Sequence, residues 1–408
     1  MTAPLLRIAR RTAIAAMLGS AFVGGTVFAQ AAKYGPGASA TEIKLGQTMP
    51  YSGPASAYGT IGKVQAAYFK KINDEGGING RKLLLLSEDD GYSPPKAVEQ
   101  IRKLVEQDNV LFTFQTLGTP SNSAIHKYMN AKKVPHLFLA TGASKWADPK
   151  NNPWTMGLNI SYETEGQIYA RYLLKNKPNA KVAVLYQNDD YGKDVLNGFK
   201  EGLGSAASKM IVAEATYEVT DPTVDSQILT LKGSGADTFL NITTPKFGAQ
   251  AVRKAYDSGW KPLHIINNVA ASVGAVLTPA GLDKSEGLIT IEYYKDPTDP
   301  QWKDDPAMKE WVAFMGKYYP DGNLKDASNT YGYLAAQIMV QVLKQCGDDL
   351  TRENVMKQAA NLKDLKLPMM LPGIAVNTSP TDYSPFEQAQ LARFDGKQWV
   401  LFGDVLGK

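Results

Sequence analysis

Two short polar segments carry the residue types that hold an anion without a fixed positive charge. Gly118-Thr119-Pro120-Ser121 follows the apolar run Val110–Phe114 and precedes a helical pattern beginning near Asn122. Thr141-Gly142-Ala143-Ser144 follows Val134–Ala140 with the same chemistry. A strand that turns into a helix through Gly, Ser and Thr offers backbone N–H groups and hydroxyls at the positive end of the helix dipole. An anion there is met by dipoles alone. The competing reading is local, with Thr119 and Ser144 simply capping helix N-termini.

The residues for catalysis are missing. No Gly-rich loop ends in Gly-Lys-Ser/Thr, and no Gly-x-Gly-x-x-Gly directly follows a strand. Gly142-Ala143-Ser144-Lys145-Trp146 has the wrong last residue for a nucleophile elbow. The three histidines, His126, His136 and His264, are not at metal-binding spacings, and the lone Cys346 excludes an intrachain disulfide or a multi-cysteine zinc site. Asp89-Asp90 and Asp189-Asp190 lie at strand ends, where neighbouring residues point to opposite faces, and read as solvated turn residues. No catalytic residue, metal ligand or cofactor is predicted. A hydrolase on this kind of chain would need a nucleophile and base at one strand end, and none is supplied. The chain reads as a binder.

Those loops need a framework, and 408 residues are enough for about two domains with a large core. Arg7, Arg10 and Arg11 precede an apolar stretch from Ala13 to Phe28, with small residues after it. This is the anatomy of a secretory signal peptide, expected over residues 1–31 with cleavage after Ala29 or Ala31. A membrane anchor is the alternative, disfavoured because the run is short for spanning. Arg10-Arg11 leaves general or twin-arginine export open. The formal net charge is +4, but residues 1–32 hold three Arg and no acid, leaving 41 basic against 40 acidic groups. Near-neutrality gives no electrostatic case for nucleic acid. An exported chain with a large core and no disulfide fits a bacterial periplasm.

Short β-type runs alternate with amphipathic helical patterns along most of the sequence. Strands are expected at Ile43–Met49, Leu83–Ser87, Val110–Phe114, Val134–Ala140, Val182–Tyr186, Thr238–Ile242, Leu263–Asn267 and Leu288–Ile291. Between them the apolar spacing of Val98, Ile101, Leu104 and Val105 typifies a helix laid on a sheet. Long helices are expected at Met308–Tyr318 and Ala327–Gln345. This order argues for parallel sheets with helices on both faces.

The opening strand is followed by Tyr51-Ser52-Gly53-Pro54, Tyr58-Gly59, a helix ending in Ile72-Asn73, and Gly76-Gly77-Ile78-Asn79-Gly80. Asp89-Asp90 with Pro95 and Ala97, Gly142-Ala143, Tyr191-Gly192, and Ala280-Gly281 before Glu286-Gly287 then appear in order. Over about residues 42–345 this resembles the periplasmic solute-binding proteins of ABC importers in the branched-chain amino acid (Leu/Ile/Val-binding) family. The resemblance implies an α/β fold of two doubly wound parallel-sheet lobes joined by three crossing strands, with a ligand cleft between them. Lobe 1 would comprise 40–157 plus 294–372 and lobe 2 would comprise 158–293 plus 373–408, with crossings near Met156–Leu158, Ile291–Tyr294 and Leu371–Ile374. It also implies a monomer that hands a small-molecule carboxylate to inner-membrane permease and ATPase subunits. A sensory module for a membrane receptor is the alternative use of the same fold.

Carried onto this sequence, the two anion loops (Gly118, Thr119, Thr141, Gly142, Ala143, Ser144) would hold the ligand carboxylate. Tyr58 and Tyr191 match aromatics that close from the two lobes; an aromatic brings apolar area with a polar tip. Tyr331 and Tyr333 are assigned to the core. One departure is informative. Amino-acid-binding members carry an acid after the strand matching Leu263–Asn267, whereas this chain has Asn267-Asn268-Val269-Ala270-Ala271. An unpaired buried ammonium costs several kcal/mol. Either Asp189 or Asp190 substitutes, or the ligand is an acid without an ammonium, such as a benzoate or phenylpropenoate. The second is favoured, with Thr243, Thr244 and Asn268 bonding a ring hydroxyl or other neutral polar group. Branched-chain amino acids are the alternative ligands.

Overall fold

The structure, a computed structural model, describes residues 33–407. The expected export signal at 1–31 lies outside the described residues. In chain order the strands are β1 (Lys33–Tyr34), β2 (Glu42–Met49), β3 (Lys82–Asp89), β4 (Phe112–Phe114), β5 (His136–Leu139), β6 (Thr155–Gly157), β7 (Val182–Gln187), β8 (Ile211–Tyr217), β9 (Thr238–Ile242), β10 (Leu263–Ile266), β11 (Ile289–Glu292), β12 (Asp349–Leu350), β13 (Gln388–Phe394) and β14 (Trp399–Gly407). A five-stranded sheet has the order β3-β2-β4-β5-β6 and is parallel throughout. A seven-stranded sheet has the order β14-β13-β11-β10-β9-β7-β8. The chain is thus a two-lobed α/β protein.

Central strands such as β9 and β11 are buried at every position, as a sheet covered on both faces requires. The covering helices include α1 (Gly59–Asp74), α2 (Pro94–Arg102), α3 (Thr119–Lys132), α4 (Tyr162–Asn176) and α5 (Asp190–Leu203). Helix α1 buries Ile61, Val64, Phe69 and Ile72, a stripe at helical spacing. It packs against Ala327–Cys346, whose length matches the sequence expectation.

Three differences from the sequence expectation have clear causes. Strand β8 was not anticipated because Ile211–Tyr217 alternates half-buried and exposed residues at a sheet edge, with only Tyr217 buried. The hairpin β13–β14 was also missed; it runs antiparallel beside β11, so the second sheet is mixed and not purely parallel. Helix α3 begins at Thr119, with Pro120 in its first turn, three residues ahead of expectation.

The chain changes sheets after β6, after β11, and between the helix Arg352–Ala359 and β13. The last two passages lie side by side: Lys295 N–H donates to the Met369 carbonyl at 2.8 Å and Leu371 N–H to that of Tyr293 at 3.2 Å.

Leu240 on β9 is fully buried. Leu240→Ala should lower stability by about 2–5 kcal/mol in denaturant titrations, through lost burial and a residual cavity.

Candidate ligand site between the two sheets

The strand ends of both sheets converge on one cavity. Its lining comes from Leu117–Thr119 after β4, Ala140 after β5, Asn159 after β6, Tyr191 after β7, Thr244 after β9, Asn268 and Val269 after β10, and Glu292–Tyr294 at the end of β11. Ligands of open parallel sheets bind at this end of the strands, because the following helices point their N-termini there. About 690 Å³ of atom-free space, open solvent at its mouth included, lies between these residues.

Seven tyrosines dominate the walls. Tyr58, Tyr92, Tyr162 and Tyr191 stand with Tyr293, Tyr294 and Tyr331, and no Lys or Arg joins them. Tyr162 and Tyr191 meet with ring centroids 5.0 Å apart, and Tyr293 and Tyr294 meet edge-on at 4.9 Å. Several hydroxyls are tied down. Tyr58 O–H donates to the Val269 carbonyl and Tyr191 O–H to that of Thr243, each at 2.9 Å. Tyr331 O–H donates to Asn159 Oδ1 at 2.6 Å and accepts from Gln115 Nε2 at 3.1 Å. These rings therefore offer apolar faces more than free polar tips. Tyr331, assigned to the core from sequence, lines the cavity; Tyr333 does pack in the core against Tyr68 and Phe314.

The two anion loops diverge in their use. Gly118 and Thr119 line the cavity at the N-terminus of α3, where the first N–H groups lack partners within the helix. Gly118 has φ 96°, and a Cβ there would meet the Tyr92 ring at 2.5 Å, so only glycine lets loop and ring coexist. Thr119 is not a side-chain cap; its hydroxyl pairs with that of Thr141 at 2.6 Å. The Thr141 hydroxyl also accepts from Ala143 N–H at 3.2 Å. Gly142 packs where a Cβ would sit 2.2 Å from the Ile160 carbonyl. Thr141, Gly142, Ala143 and Ser144 border a separate small pocket. Ser144 in particular has another partner. Its N–H and hydroxyl both donate to Asp194 Oδ2 of α5, at 2.8 and 3.2 Å.

Of the remaining expected residues, Thr244 and Asn268 line the cavity, whereas Thr243 is fully buried with its hydroxyl on Asn241. The aspartate pairs are not simple solvated turns. Asp89 accepts from the N–H groups of Tyr51, Ser52 and Gly91, and Asp90 is fully buried. Asp189 caps α5 and Asp190 pairs with Lys145 at 2.6 Å, and neither lines the cavity.

The acid that does reach it is Glu292. Burial, reinforced by nearby Asp296, holds its carboxyl well above the usual carboxylate range. Behind it, burial pushes Glu165 up to about 7, and Glu165 accepts from Asn268 N–H and Tyr169 O–H, each at 2.7 Å. Sequence reasoning missed Tyr92, Tyr162 and Glu292-Tyr293-Tyr294. The signal available for Tyr92 and the 292–294 run was position, since each follows or ends a parallel strand.

Bonds between the sheets hold the cavity shut. Besides Ser144–Asp194 and Lys145–Asp190, Ser272 O–H donates to Asp326 Oδ1 and Gly274 N–H to the Lys325 carbonyl, both at 2.8 Å. A hydrogen bond to a charged group contributes about 1.5–3 kcal/mol, and 1.4 kcal/mol is tenfold in affinity. Asp194→Ala should therefore weaken ligand binding about tenfold in calorimetric titration and raise the unliganded radius of gyration in X-ray scattering. Unchanged affinity would show that this contact does not support closure.

Comparison with known proteins agrees with this architecture. A family model described as periplasmic binding protein matches residues 42–398. "Leu/Ile/Val-binding protein homolog 7" of Brucella suis biovar 1 (strain 1330) is 24% identical over 378 residues, covering 90% of this chain and 91% of the relative. Among solved structures, a branched chain amino acid ABC transporter from Thermus thermophilus with bound valine superposes with a TM-score of 0.81 at 17% identity, covering 91% of this chain and 98% of that one. A fatty acid ABC transporter substrate-binding protein from Thermomonospora curvata gives 0.77 at 24% identity, covering 92% and 95%. With its closed site at the strand ends and a family match over nearly all described residues, this chain belongs to the periplasmic binding protein family.

Proposed function

We propose that this chain is the periplasmic receptor of an ABC importer and delivers a small organic carboxylate with an apolar or aromatic body. The observation that carries this reading is a cavity between the two sheets with a helix N-terminus, seven tyrosines and no cationic side chain. Helix N–H groups suit a carboxylate, and tyrosine faces suit a flat apolar body. Two structural relatives support the carboxylate: one is described as a fatty acid transporter's binding protein and the other holds valine, and both ligands carry that group. Delivery would fall to separate permease and ATPase subunits of the importer. Domain closure stabilised by a ligand touching both lobes would then signal loading to the permease.

Glu292 favours a second reading. It is an acid in the cavity of a chain that lacks the family's usual one, and as a carboxylate it would pair with the ammonium of an amino acid.

Thermal unfolding against carboxylates with and without an α-amino group separates the two. A ligand at 100 times its dissociation constant adds about 2.7 kcal/mol of stability. Benzoates or phenylpropenoates are expected to raise the midpoint while leucine leaves it unchanged. A shift by leucine or valine alone would assign the site to amino acids, and no shift by any carboxylate would refute the proposed ligand class.

A further inference from the structure

Glu292 is the cavity's one acidic residue, and its position is unusual. It is the last residue of β11, where the chain leaves the seven-stranded sheet, and it is only 2% exposed. Its hydrogen bond is a long one, from Asn268 Nδ2 to Oε2 at 3.4 Å, and that amide makes its shorter bond to the Ile291 carbonyl at 2.7 Å. No Lys or Arg is among the groups acting on it. Each neighbouring buried acid accepts at least one hydrogen bond, although Asp296 Oδ2 has no partner and does not line the cavity. Glu165 accepts from Asn268 N–H and Tyr169 O–H. Asp296 accepts from Thr298 N–H at 2.7 Å, and Asp326 from Ser272 O–H at 2.8 Å and Ser328 N–H at 3.0 Å. Glu292 alone faces the cavity with its hydrogen-bonding capacity largely unused.

We propose that Glu292 is the specificity-determining residue for the ligand's body, and that it recognises a hydroxyl group remote from the carboxylate bound at the α3 N-terminus. This rests on the carboxylate reading above. The two anchor points come from different sheets, α3 following β4 of the five-stranded sheet and Glu292 ending β11 of the other, so a ligand spanning them touches both lobes. Burial and Asp296 favour the neutral carboxyl, which donates through its O–H and accepts through its C=O. A hydroxyl is the group that can use both. An ammonium would instead require ionising Glu292 beside Asp296 and Glu165. The threonines expected to play this role are less available: Thr243 is bonded to Asn241, and the Thr244 hydroxyl lies 3.3 Å from that of Tyr217.

A site built around a buried hydrogen-bonding group rejects analogues that lack the matching group, because its own polar atoms are then left unpaired. Calorimetric titration of the exported chain with 4-hydroxybenzoate and benzoate, and with the matching phenylpropenoate pair, reads this directly. The hydroxylated member is expected to bind about 100-fold tighter. E292L should bring that ratio close to one. E292Q, whose amide supplies both a donor and an acceptor in the same shape, should keep it above about tenfold. Thermal unfolding of both variants checks that they are folded, and E292Q provides the readout if E292L is not. A ratio unchanged in E292L, or lost in E292Q, overturns the assignment. Tight binding of leucine that E292Q abolishes also overturns it, making Glu292 an ionised partner for an ammonium. Failure of every carboxylate to bind the unaltered protein would bring down the underlying ligand reading together with this one, and is distinguishable because it precedes any variant.

Discussion

Closing two lobes over a cavity removes water from every polar group that lines it, and that desolvation governs the rest of this site. A buried polar group must find a partner in the protein, find one in the ligand, or be held neutral. Most of the lining takes the first course. The hydroxyls of Tyr58, Tyr191 and Tyr331 end on carbonyls or an amide, and those of Thr119 and Thr141 pair with each other. Other lining groups are left for a ligand, among them the start of α3 and the carboxyl of Glu292. In the proposed reading those two places meet a ligand's polar groups, and the tyrosine faces between them meet its apolar body.

The fold brings these groups together through one repeated geometric rule. Each parallel strand ends at the same edge of its sheet, so segments far apart in the chain, such as 117–119 after β4 and 292–294 at the end of β11, reach the same cavity. The three passages between sheets keep those edges facing each other. Two of them are tied by backbone bonds between residues 293–295 and 369–371, and the Glu292-Tyr293-Tyr294 run sits at that junction. Closure is reinforced outside the cavity by Ser144–Asp194 and at its wall by Ser272–Asp326. A conformational equilibrium can therefore be tuned at the rim without altering the groups that recognise the ligand.

Much of this was legible before the structure. Strands β2, β3, β4, β5, β7, β9, β10 and β11 are largely apolar runs, and each was found to within a few residues, whereas β6 was anticipated only as a crossing near Met156–Leu158. Edge strand β8 and the hairpin β13–β14 were not, because their half-exposed residues alternate and resemble solvated loop. For the site, Tyr58, Gly118, Thr119, Tyr191, Thr244 and Asn268 were named from motif and position, and all of them border the cavity. Thr243 and the loop 141–144 were named by the same logic but have other partners or border a neighbouring pocket.

By itself, the sequence determined the α/β alternation, the family pattern and the absence of a cationic side chain from the anion loops. These are local properties, set by apolar spacing, turn residues and residue type. Tertiary structure alone decided which polar groups stay unpaired once the lobes meet. Ser144 is taken by Asp194 fifty residues away, and Glu292 lies beside Asn268 with no cation in reach, though neither fact follows from neighbours in the chain. Pairing and desolvation depend on approach across sheets, and linear spacing does not encode that approach.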